Sequence, residues 1–351
     1  MKVLFCGKDK FTYHRTKVLL EGLKKAKGIT CSTLSIEERN AVNAAKLKEL
    51  SSEVDFVIVP AFRHKDVSWV KRHSQAPVVF DPLISEYLTK VIDYGQWYKA
   101  PTKFLFDYSV LRHADFLLAD TEAMKQYYSK WFCFPKDKIG VVPVGYISSD
   151  FEPKKHITSD GKFHVGFYGS FVPLQGTDVI AKAAALLKNE NIIFDMIGNG
   201  ATYGEFLKIK EKNKLSNIQL HGWLPYEKLS DTIAGFDICL GIFGRSGKAE
   251  RVIPNKLFHY AAMRKCTITR ESDAINEIFS PQNNIITIVP NADKLAESIL
   301  ALKNNQTQTQ SISEASYNLI SSSFNEQSIA EKLINFLSQQ QQQPLLFELK
   351  K

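Results

Sequence analysis

His164-Val165-Gly166-Phe167-Tyr168-Gly169 and, further on, Ile192-Ile193-Phe194-Asp195-Met196-Ile197-Gly198-Asn199-Gly200 decide the fold. Each is a short apolar run that ends in glycine. Residues 178–189, DVIAKAAALLKN, lie between them and carry apolar residues at helical spacing. An apolar run of this length, bounded by turn residues, reads as a buried strand, and a strand–helix–strand succession reads as a βαβ unit of a parallel sheet.

The same alternation extends in both directions. Towards the C-terminus, strands are expected at 218–223, 237–244, 266–270 and 284–290, with helices at 226–235, 255–263 and 292–304. Towards the N-terminus, strands are expected at 2–7, 29–35, 56–61, 77–82, 116–120 and 139–145. Residues 14–27 are a helix whose Val18, Leu19 and Leu23 share one face. A polar stretch with Pro153 and Gly161 separates the two series, so two doubly wound α/β domains joined near residues 146–160 are expected. The boundaries read from this are 1–150 for the first domain and 151–325 for the second. A docking helix over 326–338 has the apolar face Ile329, Leu333, Phe336 and Leu337, and a Gln-rich tail over 339–351 is either an extension of that helix or disordered. Open sheets of this kind bind ligands at the carboxyl ends of their strands.

Composition sets the remaining bounds. Of 351 residues, 44% are hydrophobic, enough for two cores, and no apolar run reaches the ~18 residues that cross a bilayer. The first apolar run, Val3 to Cys6, is shorter than the core of a signal peptide and reads as a first buried strand. The five cysteines include no C-x-x-C pair and read as buried free thiols in a reducing cytosol, giving a cytoplasmic protein, with peripheral contact to the inner face of a membrane left open. Residues 1–150 hold 18 Lys and five Arg against 17 acidic residues, about +6 of the net +8. That excess is either ordinary solvated lysine or the mark of an anionic partner: a membrane surface, a lipid-diphosphate acceptor or nucleic acid. No helix-turn-helix, RNA-binding aromatic motif or zinc finger appears, which argues against nucleic acid.

Over residues 163–290 four blocks follow in order: the Gly169–Gly176 loop, the strand ending in Gly198-Asn199-Gly200, the turn His221-Gly222-Trp223-Leu224-Pro225, and Pro254-Asn255-Lys256 opening a helix. This succession resembles family 4 of the glycosyltransferases, the retaining, group 1 enzymes of the GT-B fold. The resemblance runs through residues 1–336, less sharply in the first domain. It implies two Rossmann-like domains facing across a cleft, and retaining transfer of a sugar from a nucleotide-sugar donor to a saccharide or lipid-linked acceptor in cell-surface polysaccharide or glycolipid synthesis. The donor is a co-substrate; neither cofactor nor metal is expected, and no D-x-D pair is present.

The leaving group of such a reaction is a nucleoside diphosphate, and its developing charge must be met by positive groups. Asn255 reads as the N-cap of a helix whose positive end, with Lys256, Arg251 and Ile253-Pro254 beside it, would meet the diphosphate; otherwise this is an ordinary capped helix with a surface lysine. Gly169 and Gly176 let backbone approach a phosphate. The resemblance implies an Arg and a Lys where this chain has Ser170 and Gln175; Gly247, Lys248, Arg251 and Lys256 could compensate. It also implies two glutamates seven residues apart. The later is His259 here, in the place of the ribose-binding carboxylate, and the earlier falls at Arg251, with Glu250 one position before and able to serve if the register shifts. Gly198 and Gly200 should admit the donor to the backbone, and Trp223 faces the base or belongs to the core. On the acceptor side, Asp81 orients a hydroxyl, takes the acceptor proton or caps the turn at Pro82, with Ser85 nearby. His14 and Arg15 either meet acceptor or phosphate or form a solvated helix start. Ser170, Gln175 and His259 leave a second reading: a catalytically degenerate protein that binds a nucleotide sugar or a partner enzyme without transfer.

Overall fold

The computed structural model describes residues 1–8, 10–155 and 160–348, the last six as backbone only. Part of the expected linker and the end of the Gln-rich tail lie outside the described residues. The chain divides into two compact units, Met1–Ile147 with Ser323–Lys351, and Ser148–Ser322.

In the first unit β1 (Lys2–Gly7), α1 (His14–Lys25), β2 (Thr30–Ser35), α2 (Ala41–Ser51), β3 (Phe56–Val59), α3 (His64–His73), β4 (Val78–Phe80), α4 (Ala100–Leu111), β5 (Phe116–Ala119), α5 (Glu122–Phe132) and β6 (Ile139–Val141) alternate along the chain. The strands form one parallel sheet in the order β2-β1-β3-β4-β5-β6. Strand order reverses between β1 and β3, so the loops leaving these two strands part and leave a crevice at their carboxyl ends. Val3, Phe5, Phe56, Ile58, Val79 and Leu118 of the sheet pack against Val18, Leu19 and Leu23 of α1.

The second unit repeats the pattern with β7 (Phe163–Tyr168), α6 (Thr177–Leu186), β8 (Ile192–Ile197), α7 (Tyr203–Lys212), β9 (Ile218–Gly222), α8 (Tyr226–Ala234), β10 (Ile238–Leu240), α9 (Asn255–Ala262), β11 (Cys266–Arg270), α10 (Asp273–Asn276), β12 (Ile286–Ile288), α11 (Ala292–Asn304) and α12 (Gln306–Ser323). Its parallel order is β12-β11-β10-β7-β8-β9, with the reversal between β10 and β7. Val165, Phe167, Phe194, Met196, Leu240 and Ile268 fill its core.

The chain then returns to the first unit as α13 (Glu326–Glu348). Ile329, Leu333, Phe336 and Leu337 are buried in the first core, the face expected from their spacing. The helix does not end at 338. It continues through the glutamine run, and Gln340 is buried, its Nε2 donating to the carbonyl of Asp137 at 3.0 Å. Gly22 explains how closely α13 lies on α1: a Cβ there would stand 1.9 Å from the carbonyl oxygen of Glu326. Lys25 and Glu326 close the same crossing at 2.6 Å.

Cys6, Cys239 and Cys266 are buried thiols, as their apolar runs indicated. Cys133 is a correction. It is exposed, at the left-handed end of α5 (φ 52°), and Cys31 is only half-buried, so the reading of five buried thiols holds for three. Among the described residues no helix is long and apolar enough to cross a membrane, and no group of three or more His, Cys, Asp or Glu could hold a metal.

Candidate functional site

The carboxyl ends of β7, β8 and β9 are drawn together by backbone. Gly169 N–H donates to the carbonyl of Ile197 at 2.9 Å, and Gly198 N–H to that of Gly222 at 2.7 Å. Gly198 has φ 115°, and a Cβ there would lie 1.9 Å from the carbonyl oxygen of Gly169; one at Gly200 would lie 1.7 Å from that of Ser170. Side chains are therefore excluded where these strand ends meet. Gly198→Ala is expected to push the Gly169 loop away and to cost about 1–3 kcal/mol of stability while the secondary structure persists. Denaturant titration and the far-ultraviolet dichroism of the variant check this together.

The loop after β7 is also tied to the loop after β10, across the point where strand order reverses. Phe243 N–H donates to the carbonyl of Gln175 and Gly244 N–H to that of Leu174, both at 3.0 Å. Ser170 is exposed, whereas Gln175 is buried against Gly169 and its Oε1 accepts no hydrogen bond. Gly176 enters α6 in the left-handed region (φ 60°), and α6 begins without a side-chain cap. Its first-turn N–H groups and the positive end of its dipole thus lie beside the glycine loop.

The second helix end belongs to α9. Asn255 is not its N-cap: Pro254 holds that position, and Asn255 is the first helical residue. The proline ring sets an extended entry with no side-chain oxygen to accept an N–H, so this helix also starts uncapped by a side chain. Lys256 is not a surface lysine. It is 1% exposed, its Nζ has no hydrogen-bond partner, and it stands 3.8 Å from the ring centroid of Phe167 and 5.6 Å from that of Tyr168. Burial drives its pKa well below the ordinary lysine value. Ile253, just before the helix, is buried beneath it.

His259 is fully buried. Its ring stacks on Phe151 at 3.8 Å, and its Nδ1 shares a 2.6 Å hydrogen bond with the Tyr168 hydroxyl. As placed, it packs α9 onto the end of β7 instead of presenting an acceptor at the surface. Tyr260 adds to that joint, its hydroxyl accepting from Tyr168 N–H at 3.2 Å. Glu250 pairs with the Nη2 of Arg270, and Arg251 Nη1 donates to the carbonyl of Gly247. Trp223 is 71% exposed, which rules out the core reading. His221, two residues before it, donates from Nε2 to Asp195 Oδ1 at 2.7 Å, and His164 donates from Nδ1 to Asp195 Oδ2 at 2.7 Å, a polar tie across β7, β8 and β9.

The acceptor-side candidates in the first unit are all buried. Arg15 Nε donates to Asp81 Oδ2 at 2.6 Å with both side chains about 1% exposed, and Arg15 Nη1 donates to the carbonyl of Val142 at 2.8 Å. Burial opposes charge on Arg15, but the Asp81 carboxylate outweighs it and raises the guanidinium pKa. His14 is hydrogen-bonded through Nε2 to the carbonyl of Gly145 at 3.0 Å. Ser85 accepts from Leu88 N–H at 2.9 Å and lies 3.1 Å from the Tyr127 hydroxyl. A solvated helix start at His14 and Arg15 is therefore corrected: both are buried, and Arg15 at the start of α1 is paired with Asp81 after β4, with Arg15 Nη2 and Asp81 Oδ1 left without hydrogen-bond partners. The sequence reading missed Tyr168, Tyr260 and Arg270. The alternation of Tyr168 next to Gly169 was the one available signal, since it places an aromatic at the last turn-out of β7.

Residues 162–305 match the family model of the glycosyl transferases group 1. Over 162 residues, 46% of this chain, the sequence is 26% identical to an uncharacterized glycosyltransferase of Methanocaldococcus jannaschii, and the match spans 44% of that relative's length. Among solved structures, Anabaena HepE in complex with UDP and glucose superposes with a TM-score of 0.73 at 14% identity, covering 96% of this chain and 99% of HepE. Sucrose-phosphate synthase from Thermosynechococcus elongatus superposes with a TM-score of 0.78 at 10% identity, covering 97% and 98%. At such identities the structural likeness shows the fold. The chain has the two-domain α/β GT-B fold, and its residues 162–305 match the group 1 glycosyltransferases.

Proposed function

We propose that the second unit binds a nucleoside-diphosphate sugar and that the chain transfers the sugar to a saccharide or lipid-linked acceptor. The observation that carries this is Lys256: a fully buried amine without a hydrogen-bond partner, on the first turn of an uncapped helix, at the end of the strand that leads into the glycine loop. A buried ammonium left alone is costly. A diphosphate drawn to the Gly169 loop and the starts of α6 and α9 would give it an anion, and would itself be met by peptide dipoles and one full charge. Glycosyl transfer is the chemistry that spends such a site, since the bond broken leaves its electron pair on the diphosphate. UDP is the nucleotide to test first, because HepE was solved with UDP and with UDP-glucose.

Retention at the anomeric carbon, independence of metal, a role in cell-surface polysaccharide or glycolipid synthesis, and a cytoplasmic site of action with contact to anionic membrane belong to the same proposal. The first three rest on the block-by-block resemblance, the cytoplasmic site on the free cysteines and the membrane contact on the positive charge of residues 1–150. One observation favours the non-catalytic reading: Glu250 is engaged by Arg270, and Arg251 stands where the resemblance implies a carboxylate. A panel of UDP-, GDP-, ADP- and CMP-sugars, read by calorimetry and by product formation with saccharide and lipid-linked acceptors, separates the two. The proposal expects saturable binding of a UDP-sugar and transfer to at least one acceptor class. Binding without turnover would support the degenerate reading, and no binding of any donor would refute the transferase and leave only a protein that binds a partner enzyme.

A further inference from the structure

The positive charge of the first unit is gathered into a built cavity. A recess of about 540 Å³ lies at the carboxyl ends of β1 and β3, where strand order reverses. Five cations line it against two carboxylates: Lys8 after β1, Arg39 after β2, Arg63 and Lys65 after β3, and Lys103 of α4, with Asp66 and Glu86. Arg39 meets Asp66 at 2.6 Å and Lys103 meets Glu86 at 2.8 Å, which leaves Lys8 and Lys65 of the lining beyond these pairs. Asp66 sits in the first turn of α3, where it would repel an anion. It is answered by Arg39 and by the backbone N–H of Lys8, which donates to its second oxygen at 2.9 Å.

Three features mark the recess as more than a basic surface. The ten-residue helix α3 opens onto it without a side-chain cap at Arg63. His64, the first residue of that helix, is 6% exposed and held between Phe80, edge-on at 5.0 Å, and Phe106, stacked at 6.2 Å, and its Nε2 has no hydrogen-bond partner. Phe62, also in the lining, is half exposed and adopts φ 64°, a conformation that bulky residues hold only when their surroundings impose it.

We propose that this cavity is a second anion site of the chain, taking a phosphate-bearing group of at least two negative charges. Cations beyond the two ion pairs and the start of a helix are more than a single carboxylate needs and suit a diphosphate or a phosphate monoester. Its assignment to the acceptor rests on the transferase reading; the binding itself does not. The phosphate could be carried by a soluble phosphorylated saccharide or by a diphosphate-linked lipid, which share the chemistry recognised here.

The test uses the full chain, with Lys8→Ala/Arg63→Ala/Lys65→Ala as the variant, since all three side chains lie outside the core. Inorganic pyrophosphate is the probe, and hydrogen exchange of residues 60–68 is the readout. Protection is expected in the wild type and in Lys256→Met, and pyrophosphate affinity at this site should fall about tenfold or more in the triple variant, with UDP affinity unchanged. Protection confined to the Gly169 and Lys256 segments, or equal in wild type and triple variant, would overturn the proposal. Protection by a free sugar 1-phosphate supports a soluble acceptor. Protection only by phosphatidylcholine vesicles carrying an isoprenyl diphosphate, and not by vesicles without it, supports a lipid-linked one. Loss of UDP binding in Lys256→Met with protection of residues 60–68 retained would support both sites independently.

Discussion

Lys256→Met is expected to stabilise the protein by about 1–4 kcal/mol and to lower transfer by about 10²–10³-fold. The two effects have one cause. In the free protein the Lys256 amine is fully buried and without a hydrogen-bond partner, so keeping it charged there costs several kcal/mol and favours loss of its proton. The Phe167 ring 3.8 Å away returns only about 2 kcal/mol, so desolvation wins and methionine, of similar length, fits at lower cost. With a diphosphate in place the sign reverses, because methionine offers the anion nothing. The stability gain has a pH signature. Burial holds the folded-state pKa below the ordinary lysine value, so between the two the unfolded chain binds a proton that the folded chain sheds, and wild-type stability rises with pH. The advantage of methionine should therefore shrink as pH rises towards the ordinary lysine pKa of about 10.4. Urea titrations at several pH values measure it, and a gain that does not change with pH would remove the account of Lys256 as a buried amine.

Asp81→Ala is expected to cost about 3–5 kcal/mol, a large part of the stability of a single domain. The substitution leaves Arg15 charged, buried and without its carboxylate, and Arg15 also holds the carbonyl of Val142. Asp81→Asn should cost nearly as much, since a neutral amide does not compensate the guanidinium. Arg15→Met/Asp81→Leu should recover most of the loss, because removing both charges removes the uncompensated one. Denaturant midpoints of the three variants decide this. If Asp81→Asn kept full stability but lost transfer, Asp81 would be a group of the reaction after all, as its place after β4 first suggested.

The strand and helix succession was readable because parallel strands are buried on both faces and leave apolar runs bounded by glycine, as in residues 164–169 and 192–200. The glycine loops could also be read, since Gly169, Gly198 and Gly200 sit where no Cβ fits. What could not be read was which polar side chain finds which partner. Arg15 and Asp81 are 66 residues apart and meet only because α1 and the end of β4 share one edge of the sheet. His259 is stacked on Phe151, which lies in a polar stretch with no pattern to mark it. The pattern around Lys256 left a diphosphate contact and a surface lysine both open, and its burial was not legible because it depends on α9 lying across the aromatic end of β7. The basic lining at Lys8, Arg63 and Lys65 was visible as net charge, and its gathering into one recess follows from the strand order.

The most direct measurement is proton exchange on UDP binding at pH 8, by calorimetry in buffers of different ionisation enthalpy. UDP's terminal phosphate, with a second pKa of about 6, has no proton left to exchange there. If Lys256 is a depressed amine that receives the diphosphate, binding must recharge it, and the wild type should take up a proton that Lys256→Met does not. UDP binding with no proton uptake, or with the same uptake in both proteins, would contradict the assignment of the phosphate site to this lysine.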